Sequence, residues 1–414
     1  MREWIIIGIL LTVICIGAVS GENQIVIGSI ISESGDSASY GPGVEAAIDL
    51  AVSDLNDSYK AAGMNTTVVV KKAYVDGTKG DAEKAAEDLI TQGVQIIVEP
   101  SSSEEVTGIL PILSREGILT INPTSSLALS TPDDPIVRLC PDDLQLLKAI
   151  GKFNYMIAGN TPTKAVILSR EDIYGRILSE QVTLCSNITD TVSYPQNSRD
   201  FTQTLNKLDA IVAPLIEELG EKNVVIFAIS FDEISDLMAQ ASAYPNLRKA
   251  RWQGMDSVAL NPTVLENETA AEFADATGLT TLSYNIAQPS HSDYWRVYDA
   301  VIAATDGHQP SIYEILPYDE TLMAAWIMQN NPSTIKEKLY LADNYGKYSY
   351  GATGWLKLNE NGDREYGDYY FYQVKKGDTG KYTWVPVYVY MNSSNTIIPL
   401  NGVNNTYMQH FQES

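Results

Sequence analysis

Two hydrophobic periods take turns along this chain. Short apolar segments at 25–31, 68–74, 94–98, 118–121 and 136–139 read as strands. Between them, apolar residues recur at helical spacing. Val44, Ala47, Ile48, Ala51 and Leu55 form one such face, a second helix is read over 81–92, and Val106, Ile109, Leu110 and Leu113 mark a third over 104–115. Strand and helix alternating in this way predict parallel sheets covered by helices on both faces. After a helix from about 142 to 155 the pattern restarts. Strands are expected at 165–169, 191–194, 224–229 and 251–253, with helices at 174–184, 201–219 and 233–243. A strand at 279–284 comes next, then a helix carrying Tyr294, Val297, Val301 and Ile302, and another over 318–329. Residues 345–391 are rich in Tyr, Gly and Val with alternating patterning at 369–374 and 382–389, which predicts antiparallel strands with turns at Asn361-Gly362 and Lys376-Gly377.

At 414 residues the chain is longer than the ~250–300 at which single cores stop growing, so two compact units are expected. Neither a fixed-period repeat nor a basic cluster occurs. Residues 4–19 form an apolar run behind Arg2, followed by the small residues Ala18, Ser20 and Gly21. The run reads as a signal peptide spanning 1–20, cleaved near Ser20, or as a retained N-terminal anchor. It falls just short of the ~17–25 residues that span a bilayer.

The formal charge of −24 makes nucleic acid and anionic membrane poor partners. Of three cysteines, Cys15 lies in the leader, which leaves Cys140 and Cys185 as a disulfide or as two free thiols. Asn56, Asn65, Asn187, Asn267, Asn392 and Asn404 each begin an Asn-x-Ser/Thr sequon. The histidines are His291, His308 and His410, none beside a cysteine or acid at metal-ligand spacing. With no Gly-x-Ser-x-Gly, Walker loop or dinucleotide fingerprint, the chain reads as a binding protein without cofactor or metal rather than an enzyme.

Residues 96–126 carry the clearest chemistry. Pro100 ends a short apolar run, and Ser101, Ser102 and Ser103 then stand as N-cap candidates for the next helix, whose free N–H groups and positive dipole end suit an anion. The run 118–121 stops at Asn122-Pro123 and delivers Thr124, Ser125 and Ser126 to the same sheet edge. Capping alone would also explain the serines; a ligand carboxylate is the functional reading.

The order of elements, with Ile27-Gly28-Ser29 to Gly35, Tyr40-Gly41 and the helix over 43–55, Pro100 to Ser103, Glu116-Gly117-Ile118 to Pro123, Tyr174-Gly175, and Gly351-Ala352-Thr353-Gly354 to Gly362-Asp363-Arg364, resembles the type I periplasmic binding proteins. The likeness is to their branched-chain amino acid and amide group, and it spans about 24–391. The resemblance implies an α/β fold of two doubly wound parallel-sheet lobes. Lobe 1 would comprise 24–142 and 285–345, lobe 2 would comprise 143–284 and 346–391, and 392–414 would be a tail. Three hinge crossings are expected near 140–146, 284–289 and 345–350.

The resemblance further implies a ligand between the lobes. Ser103, Thr124 and Ser126 would take an α-carboxylate, with Ser102 beside them; Tyr174 and Asp256 would take the α-ammonium; Tyr40 would line the side chain. The chain departs from many relatives in having Ser230-Phe231 after the strand at 224–229, where a tyrosine is common, so Ser230 and Phe231 would share the side-chain pocket. In function, the resemblance implies a monomeric, extracytoplasmic receptor that captures a branched-chain or similar amino acid and delivers it to the permease of an ABC importer. A ligand sensor without transport is the alternative.

Overall fold

The computed structural model describes residues 23–400 except positions 36, 160, 162 and 286–291. The leader, part of the crossing expected near 284–289, His291, His410 and the end of the chain from 401 lie outside the described residues.

A first sheet holds β1 (Asn23–Ser32), β2 (Thr66–Val75), β3 (Ile96–Val98), β4 (Leu119–Asn122) and β5 (Ile136–Arg138), all parallel, in the order β2-β1-β3-β4-β5. Ile25, Ile27, Ile30 and Ile31 of β1 are all buried because helices cover both faces, the usual reason a parallel strand reads as a nearly unbroken apolar run. On one face α2 (Lys79–Thr91) and α3 (Ser103–Glu116) pack through Ala82, Ala86, Leu89, Ile109 and Leu113. The other face is covered by α1 (Gly41–Ala61) through Val44, Ala47, Ile48 and Ala51.

From β5 the chain passes to α4 (Asp143–Ala158) and a second, eight-stranded sheet. Its parallel part is β6 (Lys164–Arg170), β7 (Ile188–Tyr194), β8 (Val224–Ile229), β9 (Arg251–Gly254) and β10 (Thr280–Asn285). The connecting helices are α5 (Ile173–Val182), α6 (Thr202–Leu219), α7 (Ile234–Ala241), α8 (Pro262–Glu266) and α9 (Glu268–Thr277). The chain then returns to the first sheet with α10 (Ser292–Ala304), α11 (Ile312–Gln329) and α12 (Ile335–Tyr348). Of these, α10 and α11 pack on α1, and α11 also packs on β1 and β3. Gly43 permits the close approach of α1 to α11, since a Cβ there would sit 2.1 Å from Glu314 Oε1. A small hairpin, β11 (Tyr350–Gly351) with β12 (Gly354–Trp355), precedes the last crossing. Then β13 (Asp368–Lys376), β14 (Tyr382–Met391) and β15 (Thr396–Pro399) extend the second sheet antiparallel, in the order β15-β14-β13-β10-β9-β8-β6-β7.

The antiparallel character of 345–391 follows the alternation in the sequence. Four elements do not appear in the sequence reading: α8, α9, α12 and β15, the last of which pairs with β14 inside the segment expected as a tail. In addition, α11 starts six residues before its expected first residue, 318.

The last crossing is tied down by buried charge. Arg138 Nε donates to Asp363 Oδ1 at 2.6 Å, and Arg364 donates to the carbonyls of Leu139 (3.0 Å) and Thr353 (2.6 Å). Asp319 of α11 accepts the N–H groups of Ala352 and Thr353 at 2.9 and 2.8 Å. A Cβ at Gly351 would lie 2.3 Å from that carboxylate, which accounts for the glycine. Cys140 and Cys185 are free thiols; Cys140 is buried and donates to the Pro123 carbonyl.

Candidate functional site

Loops after β1, β3 and β4 of the first sheet meet loops after β6, β8 and β9 of the second. Carboxyl ends of parallel strands are where open α/β sheets present ligand sites. A cavity of about 50 Å³ lies between them. At that size the two halves are nearly closed upon each other.

The first-sheet wall is built by α3. Its N-cap Ser102 accepts from Glu105 N–H at 3.1 Å while Glu105 Oε2 accepts from Ser102 N–H at 3.0 Å, a reciprocal capping box. Ser102 lines the cavity with its hydroxyl engaged as a cap, and Ser103, the first residue of the helix, lines it beside the free N–H groups of the first turn. After β4, Asn122 Oδ1 takes both the N–H and the hydroxyl of Thr124, at 3.0 and 2.6 Å. A carboxylate reaching Thr124 would compete with Asn122 for that hydroxyl proton. Ile31, Ser32, Tyr40, Val44 and Glu99 complete this wall.

The facing wall centres on Asp256, 4% exposed just after β9. Its carboxylate accepts from the phenols of Tyr174 (3.0 Å) and Tyr313 (2.5 Å) and from Ser257 N–H (3.0 Å). Burial raises its pKa, and these donors, Tyr313 first, pull it back. Burial, with the charge of Asp256 next, lifts both phenols well above their ordinary value, so they remain donors. Behind the wall sits Asp143, fully buried, with the Ser125 hydroxyl as the group that favours its ionised form. Burial, then the charge of Asp256, pushes its pKa up to about 7.

Seven of the nine residues singled out from sequence line this cavity: Ser102, Ser103, Thr124, Tyr174, Asp256, Tyr40 and Phe231. The Phe231 ring lies 5.0 Å from the Tyr174 ring, tilted 44° to it, and under the Arg170 guanidinium at 4.6 Å. Ser126 and Ser230 are not brought to the cavity. It is Ser125, beside Thr124, that lines the site, while the Ser126 carbonyl accepts from Arg138 Nη1 at 2.6 Å. The hydroxyl of Ser230 accepts from Tyr194 at 2.8 Å. Sequence reasoning missed Tyr313, Glu99 and Ser257. For Tyr313 a signal existed: Ser311-x-x-Glu314 forms a capping box that starts α11 two residues before it.

Contacts across the cleft include Ser39 N–H and hydroxyl donating to Asp232 at 2.9 and 2.7 Å, and the Tyr40 hydroxyl reaching the Ser257 and Ala259 carbonyls, each at 3.4 Å. No group of three or more His, Cys, Asp or Glu suited to a metal occurs among the described residues, and no helix there is long and apolar enough to cross a membrane.

An uncharacterized protein of Methanocaldococcus jannaschii is 27% identical over 88% of this chain and 93% of its own length. Among solved structures, the branched-chain amino acid transporter substrate-binding protein LivJ of Streptococcus pneumoniae, in complex with isoleucine, superposes with a TM-score of 0.70 at 20% identity, covering 88% of this chain and all of that one. A solute-binding protein of an ABC transporter from Rhodopseudomonas palustris, in complex with 3,4-dihydroxybenzoic acid, does so with a TM-score of 0.69 at 17% identity, covering 93% and 99%. These two share the two-lobed fold, and both are solute-binding proteins rather than enzymes. The family described as periplasmic binding protein matches residues 24–379, and the chain belongs to it.

Proposed function

We propose that the protein is an extracytoplasmic receptor that captures a free amino acid in the cleft and presents it to the permease of an ABC importer. The carrying observation is Asp256, a buried carboxylate in the cavity wall whose hydrogen-bond donors are all neutral. A buried carboxylate is stabilised most by a cation, and an α-ammonium supplies one. Among the described residues no Lys, Arg or His lines the cavity, so a ligand carboxylate would rest on the serine hydroxyls and the N-terminal N–H groups of α3.

The solved relatives hold ligands of two kinds, isoleucine and 3,4-dihydroxybenzoic acid. A benzoate brings a negative charge and no cation, and would leave Asp256 unpaired beside it; the zwitterion matches both walls. Since contacts come from both sheets, the ligand favours the closed arrangement, and binding shifts a hinge equilibrium.

The test is calorimetric titration of the ligand-stripped protein with free amino acids, their N-acetyl derivatives and 3,4-dihydroxybenzoate. Free amino acids are expected to bind, with acetylation of the amine abolishing binding. Binding of the benzoate and of no amino acid would overturn the reading. The importer role is tested by uptake of the bound amino acid in cells with and without the protein.

A further inference from the structure

The cleft contains a second acidic feature that recognition of an amino acid's backbone does not use. Glu99 follows β3 with φ +63°, the left-handed region that glycine occupies at least cost, and lines the cavity at 1% exposure. Its backbone N–H serves the fold, donating at 3.1 Å both to the Ile121 carbonyl and to Glu320 Oε2 on α11. Its carboxyl does not. Glu99 Oε2 and Glu320 Oε1 both lack a donor among the described residues. Burial, then the charge of Glu105, raises the pKa of Glu99; burial, then the charge of Glu99, raises that of Glu320.

A glycine at 99 would supply the same turn and the same N–H bonds without burying an acid. A residue that is strained in its backbone and costly in its side chain, and that sits on a ligand cavity, points to recognition. One proton shared between Glu99 Oε2 and Glu320 Oε1 answers those two atoms, and the second carboxyl oxygen of Glu99 is then the acceptor open to a donor from the cavity. That wall, with Ile31, Ser32 and Val44, belongs to the first sheet, opposite Asp256 and Tyr174. The α-ammonium and Glu99 therefore engage different parts of one ligand.

We infer that Glu99, backed by Glu320, reads the end of the ligand's side chain, and that the preferred amino acid ends there in a nitrogen donor, an amine or a carboxamide, rather than in hydrocarbon. This rests on the amino-acid reading of the cleft. A methyl group against the pair leaves a buried acceptor unanswered, and sites built to hydrogen-bond a polar group reject the analogue that lacks it far more strongly than apolar pockets reject an extra methylene.

Two near-isosteric pairs test the inference by calorimetry on the ligand-stripped wild-type protein: ornithine against norleucine, which exchanges a terminal ammonium for a methyl, and asparagine against leucine, which exchanges a carboxamide for a branched hydrocarbon. At least one nitrogen-ended ligand is expected to bind about tenfold or more tightly than its partner, and the two arms separate a charged from a neutral donor. If norleucine and leucine bind as well as or better than their counterparts, the inference is overturned while the amino-acid site stands. Failure of all four to bind sinks the amino-acid reading itself. In Glu99→Gln, with folding checked by its melting curve, the preference is expected to shrink about tenfold. Equal weakening of both members of a pair would mark Glu99 as structural and overturn the inference too.

Discussion

Asp256 is held by neighbours that can orient it but cannot neutralise it. Tyr174, Tyr313 and Ser257 aim their donors at one carboxylate, and Asp143, the buried group behind the wall that feels its charge, is another acid. Removing the carboxylate leaves a bound ammonium buried without a counter-charge, at a cost on the order of 3–5 kcal/mol. Asp256→Ala should therefore weaken amino-acid binding at least about a hundredfold, near 2.7 kcal/mol, by calorimetry; an unchanged dissociation constant would remove Asp256 from the site. Tyr313→Phe is subtler. With its strongest donor gone, Asp256 holds its proton to higher pH, so affinity at neutral pH should fall roughly tenfold. The pH at which binding reaches half its limiting strength should move upward, and a profile that does not move would show that Tyr313 merely packs.

At the scale of elements, the cleft is a set of strand ends held shut by contacts within the cavity wall, such as Tyr313 with Asp256, and by contacts outside it. Asp232, in the loop between β8 and α7, takes the N–H and hydroxyl of Ser39 across the cleft and the amide of Asn261 on its own side, at 2.7–2.9 Å. Burial lifts its pKa to about 6 although the Ser39 and Asn261 donors hold it down. It does not itself line the cavity, so Asp232→Ala should act mainly on closure. Ligand should leave roughly tenfold faster with a nearly unchanged association rate, since differences within one interface fall mainly in dissociation; an unchanged dissociation rate in stopped flow would rule out the latch. Parallel strands and their helices were legible because β1, β3, β4 and β8 are apolar and short while α1 and α3 show clear faces. Ser103 was singled out as an N-cap candidate shortly after β3, whereas Asp256, after the less apolar β9, was reached only through the family resemblance. What escaped did so for local physical reasons. Pro317 stands inside α11, where a proline ordinarily marks a first turn, and reading the helix as starting beyond it cost Tyr313 its place at the site. Glu99 sits at a conformation that sequence assigns to glycine, and it is visible only through its φ. Ser125 and Ser126 are indistinguishable in sequence, and only the structure shows that Ser125 lines the cavity while Ser126 starts a short turn over Leu127–Leu129.

Taken as a whole, the molecule carries its acids in two populations. Most are exposed and give the formal charge of −24. A smaller set is buried at the cleft and crossings, and there burial raises the pKa of Asp256, Glu99, Glu320, Glu314 and Asp319, while Asp143 rises to about 7 and Asp232 to about 6. A carboxyl whose folded pKa lies above its unfolded one binds its proton more tightly when folded. Its contribution is fully present below the unfolded value, near 4, and is lost as pH rises through the folded value. Between pH 5 and 8 these groups act in one direction, each removing about 1.4 kcal/mol per unit by which its pKa is raised, as far as that window reaches. Self-repulsion of the surface charge adds to the same trend. The ligand-free protein should therefore melt at lower temperature at pH 8 than at pH 5. An amino acid in the cleft reverses part of this loss, because its ammonium favours the ionised form of Asp256, so binding releases the proton that burial holds there and affinity climbs as pH rises. The stabilisation that a fixed excess of amino acid adds should then be larger at pH 8 than at pH 5. Scanning calorimetry at both pH values, with and without ligand, reads both effects. A ligand-free protein more stable at pH 8, or a ligand increment that shrinks with rising pH, would show that the cleft acids are not the proton-linked groups their burial makes them.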